Sequence, residues 1–383
     1  MHILIVSHGI PTRIDPQWGC FELDQARALC SLGHGVTIAA IDGRFRRYWR
    51  KIGITRTSFA EIKAYSLFLL PLSVFISPSL RRKVRERMMD ILVSQIVKEC
   101  GIPDIIYAHY LFSMAALCRV KKRFPGIPVV GIEHWSKLSR PILSQTLLSS
   151  GQRAYCEADR LLAVSPSLQS RIKEHFGKDS EVVYDMVEES FLKADLAIGP
   201  GADAPFAFAS CGSLIPRKGF DVLLKAFAKI ENKTAKLIIV GDGPEKTRLW
   251  ELAEMLGISS RVVFLGMVSR EGIVEVYGQS SAYVLATRAE TFGVCYIEAM
   301  AMGLPVIATR CGGPEHFVTD QCGYLLEVED EDGLVNAMNS IQNEYGRFNP
   351  VEIREYVRSR FSGEEIAKQL EQIFAEEIEK KKQ

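Results

Sequence analysis

The chain has 383 residues, of which 47% are hydrophobic and 24% charged, and its net charge is +1; this suits a soluble globular protein of two domains of ~150–200 residues and excludes a disordered or collagen-like chain. Nine cysteines, scattered from Cys20 to Cys322 without a C-x-x-C pair, exclude a disulfide framework or a zinc ribbon and read as reduced thiols in a cytosol. The small net charge hides an asymmetry: residues 1–195 hold 27 Lys+Arg against 19 Asp+Glu, a net of +8, and residues 196–383 hold 20 against 27, a net of −7, so the two halves are expected to meet different partners.

The N-terminus reads straight into a buried strand, Ile3–Val6, rather than a signal peptide. A helical pattern over Phe21–Leu32 stops at Gly33-His34-Gly35, and Val36–Ile41 is the next strand. Further strands are expected at Ile105–Ala108, Val129–Ile132, Leu161–Val164 and Val182–Tyr184, with helices such as Arg87–Lys98 and Leu111–Arg123 between them. Strands alternating with helices predict a doubly wound parallel sheet. The small-residue run Ala194–Pro205, with Gly199-Pro200-Gly201, reads as an interdomain linker. A second α/β series follows, with strands at Phe206–Cys211, Lys236–Val240, Val262–Leu265, Ala282–Leu285 and Val306–Ala308. In Gly363–Lys382, Ile366, Leu370, Ile373, Phe374 and Ile378 fall on one helical face. The division expected is 1–195, 205–355 and a terminal helical segment, 356–383.

The most informative stretch is Ala289-Glu290-Thr291-Phe292-Gly293-Val294, followed by Glu298 and Gly303-Leu304-Pro305-Val306-Ile307. Strand, glycine loop, helix and strand would place Glu290 on the loop at the carboxyl end of a parallel strand. Glu298 would then lie about one and a half turns into the helix. Open α/β sheets bind ligands in the crevice at those strand ends. The helix N-terminus at Gly293 and Val294 offers unpaired N–H groups and the positive end of a dipole, which suits phosphate. An anion-binding helix end flanked by two carboxylates fits a nucleotide sugar.

This run resembles the E-x7-E signature of retaining GT-B glycosyltransferases, specifically glycosyltransferase family 4. The resemblance implies two Rossmann-like doubly wound α/β domains facing a cleft, the first for the acceptor and the second for the donor, with the C-terminal helix crossing back to the first. It implies transfer of a hexose-type sugar from a nucleotide-diphosphate sugar to a saccharide or lipid-linked acceptor, in the synthesis of a surface polysaccharide or glycolipid. Gly212-Ser213-Leu214-Ile215-Pro216-Arg217-Lys218-Gly219 looks like the family's phosphate loop, G-R-L-x-x-x-K-G, with Ser213 at the usual arginine position and Arg217 supplying the charge. Val240-Gly241-Asp242-Gly243-Pro244 is similar to its G-x-G-P loop beside the nucleotide. Gly19 sits just before a helix, as does the family's loop against the donor phosphate and the acceptor.

His134, at the end of the strand Val129–Ile132, matches a histidine that contacts the donor sugar. His109 occupies a similar strand end, and Val183-Tyr184-Asp185 carries Asp185 where the family has Asn. The resemblance thus assigns catalysis to Glu290, His134, Lys218 and Arg217. It assigns donor binding to Gly19, Gly212, Arg217, Lys218, Gly241, Gly243, Thr291, Phe292, Gly293, Val294 and Glu298. It implies neither a metal nor a cofactor, since Arg217, Lys218 and the helix dipole supply the charge. Asp330-Glu331-Asp332 has the form of a metal-binding D-x-D but reads instead as an N-cap and first-turn acids of a helix.

Two basic clusters, Arg44–Lys51 and Arg81–Arg87, flank an uncharged apolar stretch, Ala64–Leu80, that Pro71 and Pro78 break too early to span a membrane. Such clusters beside aromatics suit an anionic lipid surface, so peripheral docking of a cytoplasmic protein on the inner leaflet is expected. No nucleic-acid motif accompanies them. The alternatives are a catalytically silent GT-B saccharide-binding scaffold or another GT-B enzyme such as an epimerase or phosphorylase. Intact Glu290, Glu298 and Lys218 argue against the scaffold, and Lys246 in place of a third glycine argues against a dinucleotide fold.

Overall fold

The first apolar run forms β1 (His2–Ser7), whose Ile3, Leu4, Ile5 and Val6 are closed to solvent. A strand apolar on both faces needs cover on both, the condition of a parallel sheet with helices above and below. The structure, a computed structural model, describes residues 1–44, 51–69, 77–197, 199 and 205–383. It divides into two units: Met1–Tyr184 together with Gly363–Gln383, and Asp185–Ser362.

The first unit is built on an eight-stranded sheet. Beside β1 on one side lie β2 (Gly35–Asp42), then β4 (Ile62–Phe68), with β3 (Gly53–Phe59) at the edge. On the other side come β5 (Ile105–His109), β6 (Val129–Glu133), β7 (Arg160–Ala163) and β8 (Glu181–Val182). Neighbours are parallel except for the β3–β4 hairpin. Sequence analysis missed this hairpin, because Ala64–Leu80 reads as one uncharged stretch. Its first part is a strand with Ile62, Ala64 and Leu67 buried.

The predicted helix at Arg87–Lys98 runs over Pro78–Cys100, because Ser77 caps it through Leu80 N–H (3.3 Å) and proline opens its first turn. The predicted helix Leu111–Arg123 is two shorter ones, Leu111–Ala115 and Cys118–Arg123.

In the second unit β11 (Val262–Gly266), β10 (Lys236–Val240), β9 (Ala207–Cys211), β12 (Ala282–Val284), β13 (Val306–Thr309) and β14 (Gly323–Leu326) are neighbours in that order, all parallel. In chain order this is 3-2-1-4-5-6, the Rossmann arrangement. Strand order reverses between β9 and β12. In the first unit it reverses between β1 and β5. The crevice beyond the carboxyl ends of those strands is where each sheet is built to hold a ligand.

The boundaries differ from those expected. Residues 185–195, assigned to the first domain, pack in the second unit: Val187 donates its N–H to Phe361 O (2.8 Å), and Phe191 is buried with its ring 6.1 Å from Tyr277. The apolar side chains Val187, Phe191 and Leu192 find their core there. The helix Pro350–Phe361 also stays with the second unit, against the helix Val294–Ala301. Most of the expected linker, residues 198 and 200–204, lies outside the described residues.

The last helix, Gly363–Lys382, packs in the first unit on the helix Cys20–Ser31, burying Ile366, Ala367, Leu370, Ile373 and Phe374. Phe374 lies 5.1 Å from Tyr107 of β5, and Arg160 pairs with Glu376 at 2.5 Å. Replacing so large a buried ring by alanine removes contacts and leaves a cavity. Phe374→Ala is expected to cost about 3–5 kcal/mol in urea unfolding of the first unit; a loss under about 1 kcal/mol would show that this helix does not anchor there.

Candidate active site

In the second unit the loops after β9 and β12 meet at the reversal of strand order. After β9 the chain runs through Gly212 to a 3-10 turn, Pro216–Lys218, and then the helix Phe220–Lys229. Gly219 holds that junction with φ 66°, and a side chain there would bring a Cβ within 1.8 Å of Ala286 O. Only glycine accepts both conditions. The contact lets Arg217 O receive Arg288 N–H (2.8 Å) and Thr287 Oγ1–H (3.1 Å). Arg288 locks the loop further, donating to Pro216 O and forming a bidentate pair with Asp221 (2.9 and 3.0 Å).

Glu290, 6% exposed, is the centre of this arrangement. Its Oε1 accepts from Lys218 Nζ, and its Oε2 from an Arg217 guanidinium nitrogen at 3.3 Å. The same guanidinium donates to Ala289 O at 2.5 Å. Burial works against the Lys218 ammonium, but the adjoining Glu290 carboxylate outweighs it and holds the group above the ordinary lysine value. Lys218 is therefore a cation at neutral pH.

Gly293 (φ 104°) opens the helix Val294–Ala301, whose first turn carries Cys295. Burial pushes the Cys295 thiol up to about 11, against the pull of Lys218. Glu298 is half-buried on the same helix, and its charge is felt by Cys295 and by Cys211 at the end of β9.

In the first unit the corresponding strand ends carry His8 after β1, His109 and Tyr110 at the end of β5, and His134 after β6. Gly19 (φ 84°) precedes the helix Cys20–Ser31, and a Cβ there would stand 2.3 Å from Gly9 O. The next turn carries Glu22, 1% exposed. Burial opposes its ionisation, yet the hydrogen bond from His8 Nδ1 (2.5 Å) outweighs it and holds the carboxyl down at about 2. His109 is enclosed and, chiefly by burial, is held down to about 3, hence neutral; its Nδ1 lies 3.1 Å from His134 Nε2.

The two units match two described families. The profile of Glycosyltransferase Family 4 covers residues 23–191, and that of Glycosyl transferases group 1 covers residues 198–360. The N-acetyl-alpha-D-glucosaminyl L-malate synthase of Bacillus anthracis is 31% identical over 287 residues, which are 71% of this chain and 74% of that one. The chain belongs to glycosyltransferase family 4. A D-inositol 3-phosphate glycosyltransferase of Rhodococcus jostii is 27% identical over 283 residues, 65% of this chain and 61% of its own length. Among solved structures, sucrose-phosphate synthase from Thermosynechococcus elongatus aligns with a TM-score of 0.78 at 20% identity, covering 98% of each chain. Anabaena HepE in complex with UDP-glucose aligns at 0.74 and 20%, covering 98% of this chain and all of that one. These likenesses give the GT-B fold.

In this glycosyltransferase the structure brings Arg217, Lys218 and Glu290 into direct contact, with Gly212 beside the Lys218 stem (3.6 Å). Three expectations change in detail. The Phe292 ring, 1% exposed, turns into the core between Phe317 (5.1 Å) and Phe361 (5.5 Å), so only its backbone can face a ligand. Gly241 and Gly243 are required first by the protein itself, since side chains there would meet Gly212 O at 1.9 Å and Leu214 O at 2.4 Å. His134 and His109 are not separate candidates but one hydrogen-bonded pair. Thr291 and Val294 are half-buried on either side of Gly293.

Asp330 caps the helix Glu331–Asn343 by accepting from Gly333 N–H (2.8 Å), as its sequence context suggested. Sequence reasoning missed Arg288, Glu22 and His8. His8 alone had a signal, its place directly after the first strand.

Glu22 supplies a test of sign. Its carboxyl stands at about 2 in the fold against an ordinary 4.5. The stabilisation it brings is complete above the unfolded value and is lost as pH falls towards the folded one, up to roughly 3 kcal/mol. Between about pH 5 and 3 the wild-type urea midpoint is expected to fall more steeply than that of Glu22→Gln; parallel profiles would contradict the pairing.

Proposed function

We propose that this protein is a retaining hexosyltransferase that takes its sugar from a nucleotide-diphosphate sugar and adds it to a hydroxyl of a saccharide or lipid-linked acceptor, in the building of a surface polysaccharide or glycolipid. The observation that carries this reading is the Glu290 carboxylate held between Lys218 and Arg217 at the β9/β12 reversal, beside the N-terminus of the helix Val294–Ala301. Departure of a nucleoside diphosphate builds negative charge on its phosphates. Lys218, Arg217 and the backbone N–H groups at Gly293 and Val294 are preorganised to receive it. Glu290 fixes both cations and offers its carboxylate to the sugar hydroxyls, and Glu298 serves the ribose. The names of the relatives, which transfer sugars to malate or to inositol phosphate, and the UDP-glucose in a structural neighbour support the donor class. The donor sugar bound by wild type should raise Tm in a panel of nucleotide sugars, by mass action on the folded state. Lys218→Ala should lose that shift and at least about 100-fold in kcat; a near wild-type rate would remove the assignment.

The same reading places the enzyme at an anionic inner leaflet. Of the basic cluster 81–87, Arg81, Lys83 and Arg87 are exposed on the helix Pro78–Cys100, interleaved with exposed Leu80, Val84 and Ile91. Arg82 instead pairs with Glu86 (3.0 Å), and Arg85 is turned inward. In the other cluster Arg44 pairs with Asp42 and stacks 3.2 Å over Trp18, while residues 45–50 lie outside the described residues. Among the described residues no helix is long and apolar enough to cross a membrane, so contact would be interfacial, at about 1 kcal/mol per cation. Flotation with vesicles containing phosphatidylglycerol should show salt-sensitive binding that Lys83→Glu with Arg87→Glu weakens at least about tenfold. Binding unchanged by salt and by both substitutions would exclude this face.

A further inference from the structure

At the β1/β5 reversal of the first unit, a buried carboxylate orients an imidazole whose other nitrogen no group among the described residues takes. Glu22 Oε1 accepts from the ring Nδ1 of His8 at 2.5 Å and, more weakly, from His8 N–H at 3.4 Å; the one Ser7 hydroxyl hydrogen is shared between Oε1 (3.0 Å) and Gly9 O (2.5 Å). A carboxylate only accepts, so the His8 hydrogen must sit on Nδ1. In the neutral ring Nε2 then presents a lone pair. The ring is fixed edge-on between Trp18 (4.2 Å) and Tyr110 (4.8 Å), and the side chain keeps 25% of its accessible surface. Among the described residues Nε2 has no protein partner, and it is not enclosed.

The surroundings are built at a cost. Trp18 packs onto Gly9, where a Cβ would stand 1.6 Å from the indole nitrogen. Tyr110 holds φ 65° and ψ 148°, a conformation that costs a non-glycine residue ~1–3 kcal/mol, and its ring lies between His8 and His134 (5.1 Å). Three enclosed polar atoms here lack a protein partner: Trp18 Nε1, Glu22 Oε2 and His109 Nε2. Buried polar atoms are nearly always paired, so a cluster of exceptions marks a place that the fold maintains for something other than its own stability. The carboxyl ends of β1, β5 and β6 thus carry His8, Tyr110 and His134 side by side.

We propose that His8, oriented by Glu22, accepts a hydrogen bond from a hydroxyl of the sugar-accepting molecule and so positions it on the first unit. The proposal rests on the glycosyl-transfer reading above. The charged and titratable groups facing His8 are Glu22 from the helix Cys20–Ser31, His109 from β5 and His134 beyond β6; Arg44 reaches the far side of Trp18. With His109 neutral, the anion in contact with His8 among the described residues is Glu22, which fixes its tautomer. A neutral hydroxyl donor, rather than a carboxylate or phosphate, is therefore the matched partner for Nε2.

The test is nitrogen NMR on full-length protein labelled at histidine, at about pH 8. His8→Gln identifies the resonance. The wild type should show His8 as the Nδ1–H tautomer, and Glu22→Gln should shift it towards a mixture. Addition of myo-inositol or methyl α-D-glucopyranoside at tens of millimolar should move the His8 Nε2 resonance in the wild type and move it several-fold less in Glu22→Gln. An Nε2–H tautomer in the wild type, which needs no variant to fold, overturns the proposal. So does a His8 signal unmoved by either polyol while UDP-glucose or another nucleotide sugar still raises Tm. Absence of any nucleotide-sugar shift would instead count against the donor reading.

Discussion

A carboxylate does not stay ionised in a protein interior unless cations and donors surround it, since the transfer from water otherwise costs several kcal/mol. Glu290 meets that condition through Lys218 and Arg217, and the rest of the donor unit is arranged to make it possible. The two cations come from a loop after β9 and the acid from a loop after β12, so the loops must touch. That is why position 219 is glycine, with its α-carbon against Ala286 O, and why Arg217 O is a double acceptor. The pair stabilises the fold little when intact, yet removing one partner leaves an uncompensated charge, which is strongly destabilising. Specific geometry is what the arrangement gains, and geometry is what stabilisation of a departing diphosphate requires.

Both sheets use the same topological opportunity in different chemistry. At its reversal the second unit places two cations and a helix end, a site for phosphate. The first unit places imidazoles and two buried acids, Glu22 and Glu133, in place of the cations. The composition anticipates part of this: the +8 and −7 halves differ in charge, but the contrast at the sites runs the other way, with cations concentrated in the acidic half. Bulk charge therefore describes surfaces such as the exposed face of the helix Pro78–Cys100. It says nothing of the strand ends.

What could be read from the sequence follows from range. Continuous apolar runs such as Ile3–Val6 and 237–240 mark buried parallel strands because both faces need cover, and these were legible. Glu290 and Glu298 share one strand–loop–helix unit, so the whole run from Ala289 to Ile307, rather than their spacing alone, was informative. The hairpin β3–β4 was not, since Ala64–Leu80 offers no polar alternation to reveal a strand. Glu22 gave no signal in the sequence, because its partner His8 lies across a loop and the turn at Gly19 is what brings them together. The Phe292 side chain was misread for a related reason: motif spacing locates a backbone, whereas Phe317 and Phe361 decide where the ring goes.

The charge balance at the donor site closes the argument. Cys295 sits in the first turn of a helix near Lys218, the setting that usually yields a thiolate. Burial wins here, leaving the thiol protonated at neutral pH, and it keeps Cys211 protonated as well. Tyr277 and Tyr283 beside them are held neutral by the same enclosure. Among the described residues Glu290 is the acid that meets Lys218 and Arg217 by contact. Glu298, half-buried on the same helix, adds a second acid, so a thiolate at position 295 would leave the acids of this site outnumbering Lys218 and Arg217; the enclosure of two cysteines and two tyrosines prevents that.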